Sequence, residues 1–493
     1  MAAPAPGNAA TPATALPPNA PAKPDLLALA LAPQGGGLTP EEAAKGAMQT
    51  KASVRVRRAQ LDAASARVDQ ALVTFFPRLS VTAQYTRLSE VAGFSLGSGA
   101  LVGSSAPGLL TVGPCKPNPT ANCLNDATGN PAVGAQVSFP VPLNATAFTA
   151  SLAVPISDYL LRISQGYSAA KHNERGRRLD VEAETLQAAA DARVAYFNWV
   201  RSRGQIVVSQ QSVDQARAHV TDANRSFAVG LVSRADVLRF EAQVAAAQQL
   251  LADAQALSAV AEEQLRIVIG LPPERPLAVG FDVLHEQPTV PAEKLVELQD
   301  LAMQRRLEIR ALDETELSLK DVVKVAQAGY APRLDAFADF TYANPNQRIF
   351  PQVDRFAATW DAGVRLSWTI NDTFNAIGAS AEAKANAAVV AAQKAVVRDG
   401  LRLELASAYN DVQRAAFSID AAERQLAAAE ETLRVRNELF RNGKATSTDI
   451  IDAEGEVTLA RLSRLNARIG LLVAQVRLEH AVGRDVPPRP AGE

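Results

Sequence analysis

Aromatic residues make up only 5% of this 493-residue chain, and methionine (3), histidine (4) and cysteine (2) are rarer still. So few histidines leave little for acid–base catalysis, and no G-x-S-x-G elbow, P-loop or H-E-x-x-H occurs, so nothing points to an enzyme or to a cofactor. An excess of charge is also missing. Fifty Lys and Arg against 52 Asp and Glu leave a net charge of −2, which supplies neither a basic footprint for nucleic acid nor a disordered acidic tail. No run of about 18 uninterrupted apolar residues exists, which excludes a transmembrane helix but not a membrane.

The scarce residues are also scattered. His172, His219, His285 and His480 form no ligand cluster, so no metal site is expected and each reads as a solvated helix or loop residue. Cys115 and Cys123 share one Gly/Pro/Asn-rich stretch. Their spacing would close a small disulfide loop in an oxidising compartment; the other use of paired cysteines, metal binding, has no histidine nearby to support it.

What is abundant is alanine: 47% of residues are hydrophobic although so few are aromatic, a composition suited to long, closely packed helices. Residues 1–37, rich in Ala and Pro with a GGG at 35–37, read as a disordered leader without the basic and apolar regions of a secretory signal.

The chain is duplicated. Ala47-Met48-Gln49 returns as Ala302-Met303-Gln304, and Pro77 of FPRL returns as Pro332 of APRL, both at a shift of 255 (332 minus 77). Leu152–Asp158 aligns with Leu366–Asp372 at 214, and Gly230, Asp236 and Gly270 align with Gly443, Asp449 and Gly483 at 213 (443 minus 230). The first repeat occupies 38–280 and the second 290–487, followed by a tail at 488–493. An insertion of about 40 residues of loop composition distinguishes the halves, within a loop at 88–147.

Each repeat follows one order of elements. A capping box of Thr39, Pro40 and Glu42 opens a helix expected to run to about Phe75, where Pro77 stops it. Alternation of period two then marks strands. Leu79, Val81, Ala83 and Tyr85 oppose Ser80, Thr82 and Gln84; Phe148 through Ile156 form the second run, and Leu334 through Tyr342 the third. In the fourth, Trp360, Ala362, Val364, Leu366, Trp368 and Ile370 oppose Asp361, Arg365, Thr369 and Asn371. Segments 159–226, 235–269, 373–440 and 449–481 are Ala-rich and helical. A helix of nearly 70 residues extends about 100 Å and must be stabilised by lateral packing. Residues 281–330 form a smaller element of short charged helices.

Strands of about 10 residues with an apolar outer face and the aromatics Tyr85, Tyr342, Trp360 and Trp368 near their ends have the length and girdle of an outer-membrane barrel. Four strands cannot close one, and an open edge in hydrocarbon leaves amides unpaired, so oligomerisation is required. The competing architecture is a soluble coiled-coil scaffold or periplasmic adaptor, which accounts for the helices but not for the strands.

FPRL and APRL after the opening helices, GLV-x-x-x-D-V and G-x-x-x-x-x-D-I-I-D-A at the turns, and G-LP and GRDVP at the ends resemble the TolC-type outer-membrane efflux proteins over residues 38–487. The resemblance implies a mostly α fold with a transmembrane β-barrel portion. Each protomer of a homotrimer would give four β-strands to one barrel of twelve, and long antiparallel helices to a periplasmic tunnel of twelve. It implies a passive exit duct for a tripartite efflux or type I secretion system, in the outer membrane and its lipid, served by a periplasmic adaptor and an inner-membrane pump. It places Asp236, Phe440, Asp449 and Asp452 at the closed entrance, and the tips Gly230-Leu231-Val232 and Gly443-Lys444 against the adaptor. The arginine that the family carries two residues after the second tip glycine is Ala445 here, with Arg234, Arg441 or Lys444 as candidate replacements. Three copies of Asp449 and Asp452 would make a cation-attracting ring. The same aspartates are also placed to cap the helices that follow.

Overall fold

The fold is described by a computed structural model over residues 26–90, 95–103, 106–116, 118–138, 142–284, 290 and 292–486. Among these residues the chain begins with α1 (Leu26–Ala30), α2 (Pro40–Thr50), α3 (Ala52–Val73) and β1 (Arg78–Arg87). Next come β2 (Ser95–Gly103), β3 (Thr111–Cys115), β4 (Asn118–Asn125), β5 (Val133–Ser138) and β6 (Asn144–Pro155). The short α4 (Ile156–Asp158) passes through a π-helical turn into α5 (Ser164–Ala228), followed by α6 (Arg234–Ile269), α7 (Leu295–Arg305) and α8 (Leu307–Gln327). β7 (Arg333–Asn344), β8 (Ala357–Ser367), α9 (Ile370–Arg441) and α10 (Ser447–Val482) complete it. No described helix is long and apolar enough to cross a membrane.

The described residues form two compact units, one within Met1–Asp62, Arg175–Asp313 and Ala392–Glu493, the other within Ala63–Glu174 and Glu314–Ala391. Each takes residues from both repeats, so the units do not coincide with the repeats. The duplication survives in backbone detail. Thr39 makes both bonds of its capping box, but α2 stops at Thr50 and does not continue to Phe75, because Lys51 (φ −59°, ψ 129°) leaves the helical region before α3 restarts. The same break occurs 255 residues later (306 minus 51), at Arg306 (φ −60°, ψ 125°) between α7 and α8.

In the first unit, α5, α6 and α10 bury Trp199, Tyr196, Leu265, Leu465 and Ile469 together with Ala188, Ala192 and Ala195. Alanines at these positions let the helix backbones come close, and the aromatic pair fills the space beside them. Leu27 and Leu31 belong to this core. The expected disordered leader is therefore corrected from residue 26 onward: α1 lies where leucines recur every few residues amid Ala and Pro. Residues 1–25 fall outside the description, as does the tail at 488–493.

In the second unit, β1, β6, β7 and β8 form a four-stranded antiparallel sheet in the order β1-β6-β7-β8. Its register sorts the two faces by row. Val81, Ala150, Phe340 and Trp360 make one row, and Leu79, Leu152, Ala338 and Ala362 the next, on a single apolar face. On the reverse face run Thr82, Thr149, Thr341 and Thr359, beside Ser80, Ser151, Asp339 and Asp361. The apolar face is uncovered: Val81, Val364 and Trp360 are 75%, 70% and 73% exposed. A face of this kind is disfavoured in water and suited to hydrocarbon.

Tyr85, Tyr342 and Trp360 sit toward the loop end of that face, where Tyr85 donates to Asn144 and Tyr342 stacks on Phe356 at 5.0 Å. Trp368 lies beyond the other end, its indole N–H donating to the Thr373 hydroxyl. The fourth strand spans 357–367, ending earlier than its alternation, because α9 captures Ile370 and Asn371 in its first turn.

The 88–147 insertion is more than loop. β2 pairs with β5 and β3 with β4, giving two antiparallel ribbons, and a disulfide joins Cys115 to Cys123 with Cα atoms 5.0 Å apart. Asp126 organises the neighbouring turn by accepting from the amides of Thr128 and Asn130. Turn chemistry and a cross-link, rather than apolar alternation, hold these strands together.

Candidate functional site: the paired helix tips

Helix α5 ends and α6 begins at one turn, and α9 and α10 meet at another, with the same backbone chemistry in both. Gly230 and Gly443 take left-handed conformations (φ 77° and 70°), available to glycine without a Cβ clash. The amides of Gly230 and Leu231 donate to the carbonyls of Phe227 and Ser226; those of Gly443 and Lys444 donate to Phe440 and Leu439. Both are Schellman endings, matched bond for bond at the 213-residue shift. Both following helices open with a capping box, Ser233 with Asp236 and Thr446 with Asp449. The aspartates therefore do cap their helices.

Their second carboxylate oxygens differ in use. Asp236 accepts a 2.6 Å hydrogen bond from the Ser447 hydroxyl, which ties the first hairpin to the second, and has Arg239 at 3.6 Å. Hydroxyl donation from Ser233 and then Ser447 holds its carboxyl below the usual carboxylate range, with smaller help from the Ser233 amide and Arg239. Asp449 turns to Arg436 on its own hairpin, at 2.8 Å. Its carboxyl too is held low, first by the Thr446 amide, then by the Thr446 hydroxyl and Arg436. Asp452 is exposed and has no hydrogen-bond or ion-pair partner among the described residues.

Beneath the turns the hairpins share a small core. Ala223, Val237, Phe240 and Ile450 are buried, and Phe440 packs against them, its ring edge-on to Phe240 at 6.3 Å. The structure brings Asp236, Phe440 and Asp449 to one place. Leu231, Gly443 and Lys444 stay exposed at the ends, Val232 is half-buried, and Leu231 is 78% exposed.

Two expectations need correction. Arg234, Arg441 and Lys444, the candidate replacements for the charge missing at Ala445, make no ion pair among the described residues; Arg436 and Arg239 are the arginines that engage the aspartates. Arg239 was legible as an i,i+3 partner of Asp236, whereas Arg436 had no local signal. The described histidines are partnered rather than free in solvent, His172 and His219 half-buried and His480 buried. His172 meets Glu314 at 2.7 Å, His480 bridges Asp485 and Gln187, and His219 contacts the buried Glu454. His285 lies outside the described residues. Among the described residues no group of three or more His, Cys, Asp or Glu is placed to hold a metal ion.

The family model described as "Outer membrane efflux protein" matches residues 44–271 and 298–484, most of the chain. Among solved structures, the outer-membrane channel OprN is 18% identical, with a TM-score of 0.69, covering 96% of this chain and 98% of its own. The CmeC outer membrane channel of Campylobacter jejuni is 14% identical, with a TM-score of 0.69 over 96% of this chain and 94% of its own. The outer membrane protein VceC of Vibrio cholerae is 17% identical, with a TM-score of 0.68 over 90% of this chain and 96% of its own. At these identities the likeness is one of fold. No curated protein sequence matches the chain.

Proposed function

Because this chain belongs to the outer membrane efflux protein family, of the TolC type, we propose that it works as the gated exit duct of a tripartite efflux or type I secretion system. Three copies close one barrel of twelve strands, and their long helices form a tunnel in the periplasm. The carrying observation is the sheet β1-β6-β7-β8, with an uncovered apolar face and, among the described residues, no strand paired to the outer side of β1 or β8. Hydrocarbon tolerates such a sheet only when its edges are paired.

The entrance lies at the helix tips. Asp236 accepting from Ser447, with Phe240 against Phe440, holds one hairpin to the other within a protomer, and parting them widens the opening. Asp452, unpartnered and exposed, joins Asp449 in a ring of carboxylates that favours cations. Exposed Leu231 and its neighbours Gly230 and Val232 offer the adaptor an apolar contact, and Gly443-Lys444 a basic one. The pump determines the cargo, and the duct carries out no bond chemistry. Tyr85, Tyr342, Trp360 and Trp368 mark the two lipid–water boundaries.

The test is reconstitution. Detergent-purified protein should run as a trimer and give discrete single-channel currents in planar bilayers, with cation block relieved by Asp452→Ala. A water-soluble monomer without current would overturn the reading.

A further inference from the structure

His219 reaches from α5 to Glu454 on α10, a contact between the two hairpins made 235 residues apart in sequence. It lies 11 residues above Gly230 (230 minus 219), about 17 Å along α5 at about 1.5 Å per residue. The Glu454 side chain is 6% exposed and that of His219 22%, so the acid has little water to share its charge. On its other side the imidazole stacks on Phe240 at 5.7 Å and 18°, the ring that Phe440 meets edge-on. One side chain thus touches both the buried carboxylate of one hairpin and the aromatic core common to both.

We infer that His219 and Glu454 are positioning residues of the gate, forming a second clasp whose strength depends on the proton carried by His219. The inference rests on the proposed function, since it assumes that the two hairpins part when the duct opens. Histidine changes charge between about pH 5 and 8. With the imidazole protonated, the bond to Glu454 is charge-assisted; with it neutral, one N–H donor remains but the buried carboxylate loses its counter-charge. The clasp therefore grips in mild acid and slackens as the pH rises.

The surrounding elements do not blur this response. α6 faces the imidazole with uncharged Phe240, and α9 enters the same cluster through Phe440. Of the charged groups on the packed elements, Asp236 is engaged with Ser233 and Ser447, Asp449 with Arg436, and Arg461 of α10 with Gln211 and Glu430, while Arg217 of α5, Glu241 of α6 and Asp452 of α10 are exposed, where water and salt screen their charge. On α5 itself Asp222 pairs with Arg225. The duplicated positions lack such a pair: at the 213-residue shift His219 corresponds to Thr432 and Glu454 to Glu241, so the clasp belongs to one hairpin junction only.

The experiment is the current of the reconstituted full chain in planar bilayers at pH 5 and pH 8, with trimer assembly checked on gels for every variant. Wild type should open about tenfold more at pH 8, the factor separating a charge-assisted from a neutral hydrogen bond. His219→Gln keeps a hydrogen-bond donor without the charge, so it should behave at pH 5 as wild type does at pH 8. Glu454→Gln should abolish the pH response. If both assembled variants keep the wild-type pH response while Ser447→Ala still opens the channel, the clasp is refuted and the gated duct stands. Absence of current from wild type and Ser447→Ala alike would refute the duct itself.

Discussion

The two hairpin tips are copies that have been furnished differently. Their Schellman turns and capping boxes agree bond for bond, yet the second oxygen of Asp236 crosses to Ser447 while that of Asp449 stays at home on Arg436. Side chains explain the split. At the 213-residue shift Arg436 corresponds to Ala223, which is buried in the shared core where a guanidinium would have no room or partner. Arg239 corresponds to Asp452, so one tip has an arginine beside its cap and the other a second carboxylate. A duplicated backbone thus supplies two matching turns, and a few substitutions make one a joint between hairpins while the other keeps its carboxylate on its own hairpin.

Removing the shared core should erase the distinction. Phe240→Ala takes out a fully buried ring at the centre of both tips and should destabilise them by about 3–5 kcal/mol, read as a lower melting temperature and a permanently raised current. Asp236→Ala loses its capping-box bond and the bond from Ser447, and should open the channel, whereas Asp449→Ala, costing about as much in capping, should open it less. Equal currents from the two variants would remove the asymmetry. Ser447→Ala isolates the crossing bond and should cost about 1 kcal/mol with α10 still capped by Thr446. Asp452→Ala should leave the melting temperature unchanged while altering cation block, since the side chain is exposed and makes no hydrogen bond or ion pair among the described residues.

Acid offers another handle on the comparison. Both caps have folded-state pKa values below the ordinary carboxylate value of about 3.9, so their stabilisation is complete above it and is lost as pH falls through the depressed values. Acidification below about pH 4 should loosen both tips, and Asp236→Asn should remove the part of that response that joins the hairpins.

The scaffold was readable because its signals are local. Alternation along Leu79–Tyr85 and Trp360–Leu366, the glycine at each turn and the Thr39 capping box all act within a few residues. The pairings that make the site specific were not readable, because Ser447 finds Asp236 across 211 residues and Glu454 finds His219 across 235. Those meetings depend on how one long helix is rotated against another, and a one-residue change in register would turn each pair apart by about 100°. The ribbons within 88–147 escaped for another reason: Gly, Pro and Asn signal turns, and the disulfide that fastens β3 to β4 has no periodicity. Arg436 combined both difficulties, since it meets Asp449 only once α9 has folded back on α10.

The sheet's end strands carry one more consequence. β1 and β8 run in opposite directions, since three antiparallel pairings separate them. A seam made by laying β8 of one copy against β1 of the next is therefore antiparallel as well, and a ring built this way keeps its up-and-down alternation with strands in multiples of four. The edges are unlike, so every seam is head-to-tail and a substitution on either rim recurs once per seam.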